Sequence, residues 1–145
     1  LYASGQAGER FAVRNSGSIA IVEGCGAHGC EYMTGGYAII LGQVGDNFAA
    51  GMTGGMAFVY DKSQNFEKFV NPTSVIWQQI ETDYWKIFLK EKLEDFFKET
   101  KSIVAKKILD NFDKELLHFK QVCPIEMLDK LENPVSLKST VKKVS

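Results

Sequence analysis

Residues 18–22 read SIAIV, residues 37–41 read YAIIL and residues 56–60 read MAFVY, so a short apolar run recurs every 19 residues. A fixed short period is typical of a solenoid, in which each repeat is one turn stacked on the last. A βαβ unit takes about 30 residues, so each repeat has room only for a strand and a glycine-rich return. The repeat therefore predicts a parallel β-helix.

Glycines mark the predicted corners of this solenoid. A glycine at a corner allows a positive φ or a close backbone approach that a Cβ would prevent. We expect this structural role for Gly17, Gly24, Gly26, Gly29, Gly35, Gly36, Gly45, Gly51, Gly54 and Gly55.

The composition changes near Asp61. All 13 glycines lie between Gly5 and Gly55, whereas the prolines and most charged residues come later. This shift predicts β-helix repeats over residues 1–61, a helical segment packed on them over residues 62–132, and a flexible tail over residues 133–145. The predicted fold class is mainly β with α, a short parallel β-helix followed by a C-terminal helical segment.

The helical segment has the pattern expected of a cover for the strands. Its first apolar stripe, at helical spacing, consists of Trp85, Phe88, Leu89, Leu93, Phe96 and Phe97. Thr82 and Ser102 are predicted helix N-caps. Because the strands are apolar on both faces, both faces must be covered. We expect the helix around Trp85 to cover one face, for which a neighbouring domain is the alternative, and Ile21, Ile40 and Val59 to stack in one layer on the other.

The overall composition argues against several classes of partner. A net charge of −1 gives no strong field to attract nucleic acid or an anionic membrane. No run reaches the roughly 20 apolar residues that span a bilayer, and no signal sequence precedes the repeats. Three cysteines without a secretion signal favour reduced thiols and a cytoplasmic location. The chain begins with Leu1 instead of Met, as expected of a fragment, a trimmed product or the result of a non-standard start codon.

Residues 24–29 read GCGAHG and match the G-x-G-x-x-G pattern of dinucleotide-binding folds. There the glycines approach a pyrophosphate at the start of a helix. The residues after Gly29 do not favour a helix, so tight turns of the return are the preferred interpretation. A small flavin or nucleotide binder stays an alternative, which titration with FMN, NADPH and ATP distinguishes.

Reactive side chains gather in the same return. Cys25, His28 and Cys30 could ligate a metal, but structural zinc needs a second ligand pair, so buried thiols are the preferred interpretation. His28 and Glu31 could form an acid–base pair, but no nucleophile has an evident orienting partner. We therefore expect a structural hydrogen bond at His28 and predict no catalytic, cofactor-binding or metal-binding residues in this chain.

The amino-acid sequence of the repeats resembles that of a known family. The matching strings are AGERFAVRNSG at residues 7–17, VEG at 22–24, HGCEYMTGG at 28–36 and GDNFAAGMTGG at 45–55. They are similar to the C-terminal domain of the glutamate synthase large subunit, often called the GXGXG domain. A weaker likeness continues through residues 102–124, and the tail after Asn133 has no counterpart in the family.

The resemblance implies a right-handed β-helix that serves as a spacer. In this family, glutamine donates its amide nitrogen to 2-oxoglutarate, and electrons come from NADPH or ferredoxin. The FMN and the iron–sulfur cluster belong to other domains, so no cofactor is expected in this chain. A similar module occurs in formylmethanofuran dehydrogenase subunits.

The leading hypothesis from the sequence is a non-catalytic scaffold of a glutamate synthase-like enzyme. Its partners are then the other domains or subunits of that enzyme. The alternative is a free-standing interaction module that oligomerises through the open edge of the N-terminal coil, around residues 1–11.

Overall fold

The computed structural model describes residues 2–6, 8, 11–12 and 15–135, which form one mixed sheet with helices on one face. The strands are β1 (Tyr2–Gln6), β2 (Ser16–Gly24), β3 (Thr34–Ile40), β4 (Gly54–Tyr60), β5 (Val75–Gln78) and β6 (Phe119–Pro124). The α-helices are α1 (Asp83–Thr100), α2 (Ile103–Asp110) and α3 (Phe112–Glu115). Short 3₁₀ turns lie at Phe66–Lys68, Leu116–His118 and Ile125–Met127. The predicted flexible tail lies outside the described residues from position 136 onward.

The sheet combines two strand directions. Its order is β1-β2-β3-β4-β6-β5. The first four strands are parallel to one another, β6 runs antiparallel to β4, and β5 runs antiparallel to β6. Because β5 and β6 come from residues after position 61, the second segment of the chain completes the sheet that the repeats begin. The boundary between residues 61 and 62 as a domain boundary stays a prediction.

The predicted parallel β-helix is wrong. Each repeat contributes one strand to a single mixed sheet, and the returns between strands are turns instead of further strands. The reason lies in the backbone of the returns, where His28, Cys30, Tyr32, Asn47 and Ala49 all have φ between 54° and 65°. Residues in this left-handed region cannot continue an extended strand. The returns do bond to each other, as from His28 N–H to Asp46 O (2.8 Å).

The predicted common layer of Ile21, Ile40 and Val59 is also wrong. Ile40 lies opposite Val59, which keeps the 19-residue period, but Ile21 lies opposite Ile39. The register between β2 and β3 shifts between Ser16 and Ile19. A slip of one residue moves every later side chain of a strand to the other face. Ile21 therefore packs against the helices, while Ile40 and Val59 pack against the returns.

The side chain of Asn15 bonds to the backbone at the start of β2, where this shift occurs. Its side-chain oxygen accepts hydrogen bonds from the backbone N–H groups of Gly17 (3.1 Å) and Ser18 (2.9 Å). Its amide donates to the Ser18 carbonyl at 3.0 Å. These backbone groups bond locally to a side chain, a competition with the sheet ladder that asparagine often provides.

Two hydrophobic cores lie on the two faces of the sheet. The return-side core joins strand residues to the returns and includes Ala20, Val22, Ala38, Ile40, Val59, Met33, Phe48 and Phe66. The helix-side core joins the other strand faces to the helices and includes Ile21, Ile39, Phe58, Trp85, Leu89, Leu93, Phe96 and Ile108. The prediction that the helix around Trp85 covers one sheet face is therefore confirmed. The returns cover the other face.

The helix ends follow the predictions in part. Ser102 caps α2, since its hydroxyl accepts a hydrogen bond from Ala105 N–H at 3.2 Å. Thr82 occupies the N-cap position of α1, but its side chain makes no capping hydrogen bond. Lys101 ends α1 in the left-handed conformation with φ of 57°, a common way for a helix to stop.

Glu23 connects three elements. One carboxylate oxygen accepts a hydrogen bond from Gly5 N–H in β1 at 2.6 Å. The other accepts from the hydroxyl of Ser102, the residue that caps α2. A charge-assisted hydrogen bond of this kind is stronger than a neutral one. Glu23 therefore joins the first strand of the sheet to the junction between α1 and α2.

Substitution of Gly36 tests whether the backbone geometry at the start of the strands requires glycine. Gly36 has φ of 77°, and a Cβ there would lie 2.3 Å from the Ser18 carbonyl oxygen. We expect Gly36→Ala to lower the free energy of unfolding by about 2 kcal/mol or more, from backbone strain and the clash. The measurement is urea denaturation. Gly17→Ala is the matched control because a Cβ at Gly17 meets nothing within 4 Å, and an equal loss in both variants would contradict the interpretation.

Replacement of Glu23 tests the link between β1 and α2. Glu23→Ala removes the acceptor of two hydrogen bonds and is expected to cost about 1–3 kcal/mol of stability. Hydrogen exchange should accelerate in β1 and in the first turn of α2 together. Glu67→Ala, at an exposed position, is the control. Faster exchange in only one of the two elements would contradict the proposed connection.

Candidate functional site

An exposed aromatic surface lies at the start of α1. We define the α1 surface by Tyr37, Tyr84, Ile87 and Phe88. Tyr84 is 48% exposed and Ile87 is 58% exposed, and their spacing of three residues makes them neighbours on the surface of the helix. Behind them, Tyr37 packs on Phe88 with ring centroids 4.7 Å apart, so the surface rests on the helix-side core.

A groove continues the α1 surface. Its volume is about 250 Å³, and it is lined by the glycine backbones of Gly36 and Gly55 and by the side chains of Trp85, Met127 and Leu131. Tyr37 also lines it, so the groove and the α1 surface are continuous. Apolar surface of this kind, contiguous and exposed, is typical of a site for protein contact.

Tyr37 stays protonated at this surface. Burial, and then the neighbouring Tyr84, raise the pKa of the Tyr37 hydroxyl above its ordinary value. The hydroxyl is therefore neutral at physiological pH, and the surface offers hydrogen-bonding capacity without a charge. This arrangement suits contact with another apolar surface and has no group poised for proton transfer at neutral pH.

The return after β2 holds a histidine–carboxylate pair. His28 Nδ1 lies 2.6 Å from Glu31 Oε2, with the side chains 35% and 13% exposed. The hydrogen bond predicted for His28 is thus present, with Glu31 as its partner. Among the residues that the structure describes, no group of three His, Cys, Asp or Glu side chains is placed to hold a metal ion.

The cysteines are buried thiols. Cys25, Cys30 and Cys123 are all free and buried, as predicted for the first two. Burial raises the pKa of Cys25 to about 11, partly offset by a hydrogen bond with the Gly45 backbone, and raises that of Cys123 to about 12. Burial, and then the nearby Cys25, raise the pKa of Cys30 further. Since the thiolate is the nucleophile and the metal ligand, these side chains are unreactive at neutral pH.

The G-x-G-x-x-G stretch lies in the return between β2 and β3. Gly24 ends β2, and residues 27–32 form turns, so no helix begins where the motif would place the pyrophosphate. The local geometry therefore lacks the helix N-terminus that gives this motif its chemistry.

The ten glycines predicted at corners occupy two kinds of position. Six lie within strands: Gly17 and Gly24 in β2, Gly35 and Gly36 in β3, and Gly54 and Gly55 in β4. Four lie in the returns: Gly26, Gly29, Gly45 and Gly51. At Gly45 a Cβ would lie 2.5 Å from the Ala27 backbone nitrogen, so two successive returns approach too closely for a side chain there.

Sequence reasoning missed the α1 surface. Tyr84 and Ile87 are apolar residues that fall outside the buried stripe of the first helix, and this was the available signal. A search for a buried stripe selects the residues that face the core and passes over apolar residues on the opposite face. None of the helices that the structure describes is both long and apolar enough to cross a membrane.

Comparison with known proteins identifies the family. A family model of the GXGXG motif matches residues 1–125. The chain is 55% identical over 141 residues to a glutamate synthase [NADPH] large chain of Azospirillum brasilense, covering 97% of this chain and 9% of that protein. It is 47% identical over 144 residues to a glutamate synthase [NADH] of Schizosaccharomyces pombe, and the match covers 99% of this chain and 7% of that protein. It is 47% identical over 124 residues to a ferredoxin-dependent glutamate synthase of Antithamnion sp., and the match covers 86% of this chain and 8% of that protein.

The chain thus spans less than a tenth of the length of these relatives. The resemblance to the GXGXG domain of glutamate synthase, stated from the sequence, is confirmed by these matches. Because the family model covers most of the 145 residues, the chain belongs to the GXGXG motif family.

Proposed function

We propose that this chain is a structural domain of a glutamate synthase-like enzyme, in which it holds other domains apart and in position without catalysing the reaction itself. That enzyme would form glutamate from glutamine and 2-oxoglutarate in the cytoplasm. FMN and an iron–sulfur cluster would be held by other domains. The observation that carries the proposal is a sheet covered on both faces by the chain's own residues, next to an exposed aromatic surface.

The sheet has the construction that a spacer needs. The ladder of four parallel strands is continued in the returns by hydrogen bonds such as Cys25 N–H to Gln43 O (3.1 Å) and Ala49 N–H to Gly29 O (2.8 Å). Each repeat is therefore bonded to the next on both the strand side and the return side. Close-packed interiors transmit force with little deformation, which suits a domain that fixes the distance between its neighbours.

The α1 surface supplies a place for contact. Aromatic side chains dominate the energetics of protein interfaces because they bury a large area in few rotamers. Tyr84 packs edge-on against Trp85, with centroids 4.8 Å apart and planes at 89°, so part of the surface is already ordered by the core. An ordered surface loses less conformational entropy on binding. A neighbouring domain of the enzyme is the partner that this proposal assigns to it.

A second candidate function is a free-standing interaction module that self-associates. The supporting observation is the edge of the sheet, since β1 pairs with β2 alone among the described strands. A strand at an edge presents unpaired backbone groups that another strand can satisfy. Light scattering distinguishes the two candidates: a dimer or larger oligomer favours the module, and a monomer at high concentration contradicts it.

A graft into a relative tests the scaffold proposal. The corresponding 141 residues of the Azospirillum brasilense large chain are replaced by this chain, which is 55% identical there. We expect the graft to form glutamate, and the double variant Tyr84→Asp/Ile87→Asp to lose at least about tenfold in activity, since hot-spot residues are worth about 1–2 kcal/mol or more. The measurement is the steady-state rate of glutamate formation together with the assembly state.

Lys98→Asp is the matched control, since Lys98 is an exposed residue of α1 outside the α1 surface. Full activity in the double variant would contradict a docking role for this surface. The isolated chain, mixed with glutamine, 2-oxoglutarate and a reductant, should produce no glutamate. Turnover by the isolated chain would contradict the non-catalytic role.

A further inference from the structure

A cleft opens at the carboxyl ends of β3 and β4. One part, of about 380 Å³, lies between the end of β4 and α2–α3 and is lined by Tyr60, Lys62, Lys107, Asn111 and Glu115. A second part, of about 420 Å³, is lined by Gly42, Gln43 and Ser63 and again by Tyr60 and Lys62. The two parts are neighbours, because Tyr60 and Lys62 line both. The cleft lies outside the carboxyl ends of these two strands.

The charges in the cleft favour an anion. Lys62 and Lys107 line it, and neither forms an ion pair with another described residue. The adjacent helix residue Lys106 differs, since its Nζ lies 3.4 Å from Asp110. The two lysines of the cleft thus keep their charge available for a ligand.

The acidic side chains nearby are engaged elsewhere. Asp61 is buried, and its carboxylate accepts hydrogen bonds from the backbone N–H groups of Asn65 (3.1 Å) and Phe66 (3.2 Å). Glu115 accepts a hydrogen bond from the Tyr60 hydroxyl. The cleft therefore combines two available cations with one carboxylate that is already hydrogen-bonded.

Neutral donors and apolar side chains complete the lining. Asn111 and Gln43 carry amide groups, and Ser63 carries a hydroxyl, all of which can donate hydrogen bonds to an anion. Leu41, Val104 and Ile108 provide apolar contact. The volumes fall in the range of small-molecule sites, about 300–1,000 Å³.

From this combination we propose that the cleft binds a small organic anion that bears a carboxylate or phosphate group, held between Lys62 and Lys107. This site is on the opposite edge of the strands from the groove of the α1 surface, which lies at their amino ends. Anion binding in the cleft is therefore independent of the proposed scaffold role, and one of these two proposals can be wrong while the other holds.

The test is titration of the chain with inorganic phosphate and, separately, with succinate, followed by backbone amide signals in NMR. Saturable shifts are expected near residues 42–43, 62–63 and 107–111, with a dissociation constant on the order of millimolar, because surface ion pairs are weak. Binding of phosphate but not succinate would show that the cleft prefers phosphorylated ligands. Binding of succinate but not phosphate would show that it prefers carboxylates. The absence of saturable shifts with either anion overturns the proposal.

Four variants test which side chains of the cleft favour or oppose anion binding. Lys62→Gln and Lys107→Gln should each weaken binding about two- to fivefold, whereas Lys106→Gln, one residue away on the same helix, should leave it unchanged. Glu115→Gln should strengthen binding, because it removes the negative charge of the cleft. Thermal denaturation verifies that each variant is folded. Equal effects of Lys106→Gln and Lys107→Gln, or weaker binding in a folded Glu115→Gln variant, would show that the cleft is not the site.

Discussion

Apolar side chains on both faces of β2, β3 and β4 set the constraint that the rest of the chain satisfies. A sheet of this kind exposes hydrophobic surface on two sides unless two separate covers are present. The glycine-rich returns cover one side, and α1 and α2 cover the other. The order of the elements follows from this need, since the chain builds the parallel ladder first, then makes its helices, and finally places β6 between β4 and β5.

The strand positions and the first helix could be predicted from the sequence, because both depend on local periodicity. The runs at 18–22 and 56–60 lie within β2 and β4, and that at 37–41 extends one residue past β3. The path of the returns could not be predicted in the same way. Glycine and asparagine mark some of the left-handed positions, such as Gly51 and Asn47, but Cys30, Tyr32 and Ala49 also adopt this conformation, and their residue types do not signal it.

The register and the sheet order depend on contacts that periodicity does not contain. Both pairings shift register near the start of the strands, after which β3 and β4 keep the 19-residue period (Tyr37 opposite Met56) and β2 and β3 do not (Ile19 opposite Tyr37). The strand β6 follows all three α-helices and pairs with β4 across almost sixty residues of chain. The His28–Glu31 pair, by contrast, was foreseen because its two members are three residues apart and share one return. Lys62 and Lys107 are far apart in sequence and line the same cleft only in the folded chain.

The carboxylate of Glu23 has a mechanical consequence. Gly5 in β1 and Ser102 before α2 donate to the two oxygens of the same carboxylate, so a displacement of the outermost strand removes one of the two donors that orient the acceptor of Ser102. A strand that pairs with the open edge of β1 and displaces it therefore also affects the hydrogen bond between Glu23 and Ser102 at the start of α2. The position of β1 and the arrangement of α1 and α2 are in this way coupled through Glu23.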